Sequence, residues 1–414
     1  MSRKKLASQF AWVSVGRLFG ALIQAVTMLL LARDLGPHGF GMFSAVFGTV
    51  IVFQAALDLG IATMLVRERA ANPASPMIHS ALRVTDRMAF VLTGAVSLPL
   101  LVLGSFLDSF FFTLLPLAVW AACERHTETW LAVPLADGDA RINTQNLLVR
   151  RAITALLYLG AVAVGLDPAL AFSMAMSLTA VVSLIVIRKI VVMRLALDSS
   201  PLTFREVIRS SWPYWINSLG TQARNLDTLV VSTVAGASQA GFYAATSRAT
   251  GPLRIFSTSM AAVLLPASAS AGRKQLRSLF RLVWAMTVFC GLLYGGLIIV
   301  VPTAVEIFLG EAYQGAVLPL QIVLAGLVFA ALSSLFTSML QGANLQYFVA
   351  KTAIATTAVC LALVCIGAFV AGAVGAALAL SFSFLFQSAI LAVRVAKHAR
   401  RPPARHRSST PVRM

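Results

Sequence analysis

Nine ionisable side chains stand where the surrounding sequence is almost wholly apolar: Arg17, Asp58, Glu124, Arg125, Glu128, Arg224, Asp227, Arg248 and Arg254. A charge at the centre of a hydrocarbon layer costs ~2.5 kcal/mol or more unless it meets a partner or a water-filled cavity, so each marks a candidate site. Two kinds of chemistry are open to this set. Carboxylates can carry a proton or pair with a neighbouring guanidinium. Guanidiniums without a mate offer a planar fork of donors that matches phosphate oxygens and binds them more strongly in dry surroundings.

Spacing sorts pairs from singles. Arg17 and Asp58 fall at similar depth in consecutive antiparallel helices and are placed to form a structural pair. Glu124, Arg125 and Glu128 lie within one or two helical turns, so they partly neutralise one another and leave one acid in excess. Asp227 and Arg248 stand at matching depths in their helices and form the natural ion pair there. Arg224 and Arg254 then remain near the middle of their spans. Arg254 is about 20 Å of helix rise from either end of its span, where snorkelling to water is difficult. One reading has these two lining a central cavity as an anion site; the other has them held by freed carbonyls or by Glu124 and Glu128. Gly251-Pro252 stands between Arg248 and Arg254, where proline frees a carbonyl and permits a kink, either a hinge or an ordinary irregularity.

The elements that must hold these residues are dictated by composition. The chain has 414 residues, of which 58% are hydrophobic and 12% charged. The charged share is about half the ~25% of soluble domains, and mean hydropathy is +0.84, which excludes a soluble enzyme. At ~20 residues per crossing the apolar residues suffice for about twelve membrane helices. Windows bounded by Gly, Pro or charge place these at 10–32, 41–63, 86–107, 110–134, 146–166, 169–193, 210–235, 241–267, 280–302, 316–341, 350–371 and 374–396. The runs are too long and continuous for barrel strands, so a helical bundle is expected. The first run carries Arg17 and has no small-residue cleavage site before Arg33, and reads as a retained helix rather than a signal peptide.

Loop charge tests the count independently. Twenty-seven Lys and Arg fall at the amino terminus, in alternate loops and their flanks, and in the tail from Arg394; the intervening loops hold only Arg33. The positive-inside rule then puts both termini in the cytoplasm. By the same logic the net charge of +18 sets orientation, and no nucleic-acid partner is expected. Shifting the chain by 200 residues aligns Trp12 with Trp212, Gly20 with Gly220, Leu29 with Leu229, Gly36 with Gly236, Gly41 with Gly241 and Ala45 with Ala245. An even number of spans per copy makes the repeats parallel. The expected organisation is an all-α membrane protein of two six-helix lobes around a central cavity: residues 1–193, a cytoplasmic linker at 194–209, residues 210–396, and a disordered basic tail at 397–414 lying near anionic lipid. Under the same shift Arg224, Asp227 and Arg248 fall on Gln24, Thr27 and Gly48, so the anionic contacts are expected from the second lobe.

Enzyme signatures do not appear. The five histidines are scattered, no nucleophile-elbow, zinc-protease or phosphate-loop pattern occurs, and the outward loops are short. Cys123, Cys290, Cys360 and Cys365 sit in apolar runs without metal-ligand spacing and read as buried small hydrophobes. Neither a metal nor a cofactor is expected.

The opening pattern resembles the polysaccharide flippases of the superfamily that also contains the multidrug and toxic-compound extruders. It runs through Trp12 and Arg17, then Arg33-Asp34-Leu35-Gly36-Pro37-His38-Gly39-Phe40-Gly41-Met42-Phe43, then Asp58-Leu59-Gly60, and resembles the first hairpin of the O-antigen and exopolysaccharide branch. Phe308-Leu309-Gly310-Glu311-Ala312-Tyr313 resembles that branch's second outward segment. The resemblance implies a bacterial inner-membrane protein that flips an undecaprenyl-pyrophosphate-linked oligosaccharide by alternating access, working with polysaccharide polymerase machinery. It matches family cavity arginines to Arg17 and Arg254; Arg224 joins them from the depth argument above. Asp58, Glu124, Glu128, Asp227 and Arg248 are then ion-pair or proton-coupling candidates. The rivals are a multidrug antiporter of the same fold, a membrane polymerase or ligase acting on lipid-linked sugars, and a non-transporting scaffold.

Overall fold

A computed structural model describes residues 3–195, 202–269, 273–343 and 345–400, and all regular structure among them is helical. The first half holds α1 (Arg3–Leu57), α2 (Ile61–Ala71), α3 (Pro76–Phe106), α4 (Phe110–Thr113), α5 (Pro116–Ala136), α6 (Ala140–Ala163) and α7 (Pro168–Val192). The second holds α8 (Phe204–Gln222), a 3-10 turn (Ala223–Leu226), α9 (Asp227–Ala235), α10 (Ala237–Thr250), α11 (Leu253–Ala269), α12 (Arg273–Leu309), a 3-10 segment (Glu311–Ala316), α13 (Val317–Gly342) and α14 (Gln346–Arg400). The expected linker falls partly outside the described residues, as does the tail beyond 400. Residues 397–400, expected in that tail, continue α14.

Among the described residues seven helices are long and apolar enough to cross a membrane. Two of these contain a break: α1 leaves helical backbone at Gly36, and α14 at Ala371 and Gly372. The expected loops at 33–40 and 372–373 therefore shrink to one or two residues. Gly36 supplies the positive φ (66°) that a side chain would disfavour, and Pro37 opens the next limb with its φ already set. Three expected spans lie outside the seven: α5, α8 with α9, and α10 with α11. α5 carries Glu124, Arg125 and Glu128, while the other two are interrupted in mid-course.

The 200-residue shift aligns positions that meet across a local two-fold axis. Gly236 has the same unusual backbone as Gly36 (φ 89°, ψ 163° against 66°, 174°). Gly41 packs directly on the Ala237 carbonyl, and Gly241 on the Pro37 carbonyl, so neither position has room for a side chain. This reciprocal contact is where the second limb of α1 crosses α10.

Packing differs between the two ends of the molecule. Toward the Gly36/Gly236 end, one apolar core joins both halves, from Met28, Phe43 and Trp120 to Tyr243, Tyr294 and Phe384. Toward the end bearing the basic loops it divides. One cluster gathers Leu65, Leu82, Trp130 and Ile187 with Val207 of α8; the other gathers Leu264, Val283, Phe336 and Leu391. Outward, large side chains such as Phe90, Phe106 and Phe369 are about four-fifths exposed, as a lipid-facing surface requires. Cys365 is exposed among them, unlike the buried position expected for it.

Gly41→Val and Gly241→Val should each destabilise the protein, since overpacking a backbone crossing costs ~1–3 kcal/mol or more. Thermal unfolding of detergent-purified protein should show a lower midpoint for both. Gly295→Ala, with open space around it, should leave the midpoint unchanged or slightly raised.

Candidate functional site: a cation-lined cavity

The second half is irregular where its arginines lie. A 3-10 turn replaces α-helix at Ala223–Leu226 and carries Arg224; α10 stops at Thr250, Gly251 and Pro252 break the path, and Arg254 stands in the first turn of α11. Both side chains converge on Phe384 of α14, a ring only 2% exposed. The guanidinium carbons lie 5.1 Å (Arg224) and 5.6 Å (Arg254) from its centroid, within cation–π range. Arg224 also donates to Ser383 Oγ at 3.4 Å, while its Nε is buried with no hydrogen-bond partner.

Around this pair the protein is hollow. A cavity of about 420 Å³ is lined by Arg224, Asp227, Arg248, Arg254, Phe384 and Gln387 among others, all of its lining lying between Gly220 and Gln387. A second of about 420 Å³ shares Arg224, Arg254, Phe384 and Gln387 and extends along Thr258, Ser334 and Gln341. Three arginines against the single carboxylate of Asp227 make the walls positive. That carboxylate is already engaged: Tyr243 donates its hydroxyl at 2.8 Å and the Thr228 amide donates at 2.6 Å.

Two expected pairings are corrected. Asp227 and Arg248 form no ion pair among the described residues; Asp227 is held by Tyr243 and Thr228, and the Arg248 guanidinium lies 5.2 Å from the Phe47 ring centroid. Asp58 does not pair with Arg17. The chain turns through left-handed backbone at Leu59 and Gly60 just after it, and Asp58 meets Arg125 Nε of α5 at 3.2 Å. Arg17 is exposed on the first limb of α1 and lies outside the lining of both cavities.

The acidic cluster of α5 is tied up by arginine. Arg125 reaches Glu128 at 2.7 Å as well as Asp58, whereas Glu124 is gripped at both oxygens by Arg150 at 2.5 and 2.7 Å. Arg150 lies close to the start of the expected span at 146–166, but α6 starts at Ala140, which puts Arg150 ten positions inside the helix. Phe384 escaped the sequence reading. One phenylalanine among 25 carries no local signal, and only the fold brings it between two arginines.

The helical membrane fold that encloses this positively walled cavity is shared with solved transporters. The chain shares its fold with a lipid II flippase, MurJ, in an inward closed conformation (TM-score 0.74, 14% identity, covering 93% of this chain and 87% of that one). It also shares it with an inward-facing multidrug resistance MATE family transporter of the MOP superfamily (TM-score 0.70, 13% identity, 92% and 94%). A MOP superfamily transporter from Pyrococcus furiosus, described as having a binding pocket of reverse polarity, is similar as well (TM-score 0.65, 14% identity, 94% and 95%). No curated protein matches the chain in sequence. The chain belongs to the polysaccharide biosynthesis protein family, whose model matches residues 30–318.

Glu124→Gln should destabilise the fold strongly, because a buried guanidinium left without its carboxylate costs ~3–5 kcal/mol. Glu128→Gln should cost far less, its side chain being 47% exposed. Thermal midpoints and yields of the two purified variants check the contrast.

Proposed function

We propose that the protein is a flippase of twelve spans in two parallel six-helix lobes. It carries an undecaprenyl-pyrophosphate-linked oligosaccharide from the cytoplasmic to the periplasmic leaflet of a bacterial inner membrane, for surface polysaccharide synthesis. The observation that carries this reading is the pair of guanidiniums, Arg224 and Arg254, set on one buried ring inside a cavity with too few carboxylates to neutralise it. Such a pair holds a diphosphate as a charge-assisted, multidentate ligand. The hydrated cavity takes the sugars and the polyprenyl tail stays in lipid.

The basic loops support a cytoplasmic position for the divided end of the bundle and for both termini. The division of the apolar core at that end fits a cavity reached from the side where the cargo is made. No covalent step is required; the lobes rock about the crossing at Gly41 and Gly241, and Arg17, on the first limb of α1, meets the cargo on entry. Asp58, Glu124, Glu128 and Asp227 each have a structural partner, so a coupling proton would have to displace one. A multidrug antiporter of the same fold is disfavoured because arginine-rich walls repel cationic cargo. A polymerase or ligase would need catalytic groups on a sizeable outward loop, and the expected one at 303–315 is taken up by the end of α12 and a 3-10 segment.

Arg254→Ala should abolish polymer export at normal protein level, with Arg254→Lys restoring part of it. Export at the wild-type rate by a well-expressed Arg224→Ala, Arg254→Ala variant would refute the anion assignment. Reconstitution with a defined polyprenyl-pyrophosphate sugar, reading leaflet exchange with and without a pH gradient, tests cargo and coupling together.

A further inference from the structure

The first half contains a smaller counterpart of the cation-lined cavity. It has a volume of about 70 Å³ and is lined by Gln24, Trp120, Glu124, Arg150, Arg151 and Thr154 among others. Shifted by 200 positions, Gln24, Arg150 and Thr154 fall on Arg224, Ala350 and Ile354, all in the wall of the larger cavity. The two hollows thus occupy equivalent places in two copies of one fold. Their cations come from different helices, α6 in the first copy and the α8–α11 segment in the second.

Around the small cavity three carboxylates and three guanidiniums balance in charge, but the bonding between them is uneven. Arg150 saturates Glu124, and Arg125 holds both Asp58 and Glu128. Arg151, half-buried, has no ion pair or hydrogen bond among the described residues. Its guanidinium rests against Gly20 of α1, where the missing side chain leaves it space. Glu124 and Glu128 attract this guanidinium through space without bonding to it, so its N–H donors remain open to an oxyanion.

The small cavity is one ring away from the large one. Trp120, in the small cavity's wall, stacks on Phe47 with centroids 5.1 Å apart; Arg248, in the large cavity's wall, lies over the same ring at 5.2 Å. Phe47, 2% exposed, lies between these two wall residues.

We infer that Arg151 is a second oxyanion site, distinct from the Arg224 and Arg254 pair. At about 70 Å³ the hollow is far smaller than the cavity of about 420 Å³ and suits a single carboxylate or phosphate group better than a diphosphate with its sugar. The ligand is an acidic substituent on the transported saccharide or a free small anion. This takes the cargo class from the flippase reading, but the site itself stands on the geometry of the first half.

The test uses the purified full chain and equilibrium binding of pyrophosphate, glucuronate, inorganic phosphate and glucose. Glucuronate should bind the wild type at saturating pyrophosphate, and glucose should not. Arg151→Gln should weaken glucuronate at least tenfold while pyrophosphate affinity stays within twofold, Arg151→Lys should be intermediate, and Arg224→Ala with Arg254→Ala should show the opposite pattern. Glucuronate binding more tightly than phosphate at Arg151 identifies a saccharide acid as the source; the reverse order identifies a free anion. The site is overturned if neither glucuronate nor phosphate binds the wild type, or if Arg151→Gln binds both as the wild type does. Should Arg151→Gln fail to fold, competition in the wild type decides: glucuronate displaced by pyrophosphate overturns a separate site, and additive binding upholds it. Pyrophosphate failing to bind the wild type while glucuronate binding still depends on Arg151 would count against the flippase reading alone.

Discussion

A guanidinium in hydrocarbon must find an acceptor or water, and the placement of the buried arginines organises this molecule. The two halves meet that demand in different ways. In the first, Arg125 and Arg150 are bonded to Asp58, Glu128 and Glu124, which welds α5 to the end of α1 and to α6. In the second, the only acid beside Arg224, Arg248 and Arg254 among the described residues, Asp227, is already occupied by Tyr243 and Thr228. The arginines there rest on the faces of Phe384 and Phe47, a weaker interaction of ~0.5–2 kcal/mol. A ring attracts a cation without neutralising it, so these guanidiniums keep their capacity for an anion.

Helix irregularity follows from the same requirement. An unbroken α-helix directs its side chains outward at fixed intervals, and a guanidinium on it reaches only what its face meets. The 3-10 turn carrying Arg224 and the Gly251-Pro252 break before Arg254 re-aim both side chains toward one ring and line the hollow with backbone that water can satisfy. Irregular backbone at this depth is tolerated only where it borders protein or a cavity. The first half has no such breaks in α5 and α6, and its hollow is correspondingly small.

Much of this was legible in the sequence. Length and hydropathy gave a multi-pass helical bundle, and the 200-residue shift picked out Gly36, Gly41, Gly236 and Gly241 because backbone contacts and positive φ constrain residue type wherever they recur. Arg224 and Arg254 stood out because charge in an apolar run is rare. The pairings were not legible. Depth along a helix is readable, but rotation about its axis and the choice of neighbour are set by tertiary packing, so Asp58 was matched to Arg17 when Arg125 was nearer. Helix starts also drift where polar residues extend a helix beyond its apolar run, so Arg150 and Arg151 read as edge charges although they stand in the middle of α6.

A ligand shifts a conformational equilibrium only by contacts that differ between the states. The walls of the large cavity come from the second half alone, so an anion bound to Arg224 and Arg254 touches one body and by itself gives no preference between two arrangements of the halves. The contacts that cross include Gly41 with Gly241, Gly48 against Asn225, Gly60 against Trp215, the Arg67 guanidinium donating to the Tyr214 hydroxyl at 2.8 Å, the Tyr313 hydroxyl donating to the Ala32 carbonyl at 2.8 Å, and Arg248 over Phe47. Arg248 belongs to both sets, since it lines the cavity and touches the first half. An anion large enough to draw its guanidinium from the Phe47 face trades an interaction between the halves for one with the cargo. In the proposed transport cycle Arg248 would thereby link binding to opening, and a cargo too small to reach it would leave this contact between the halves intact.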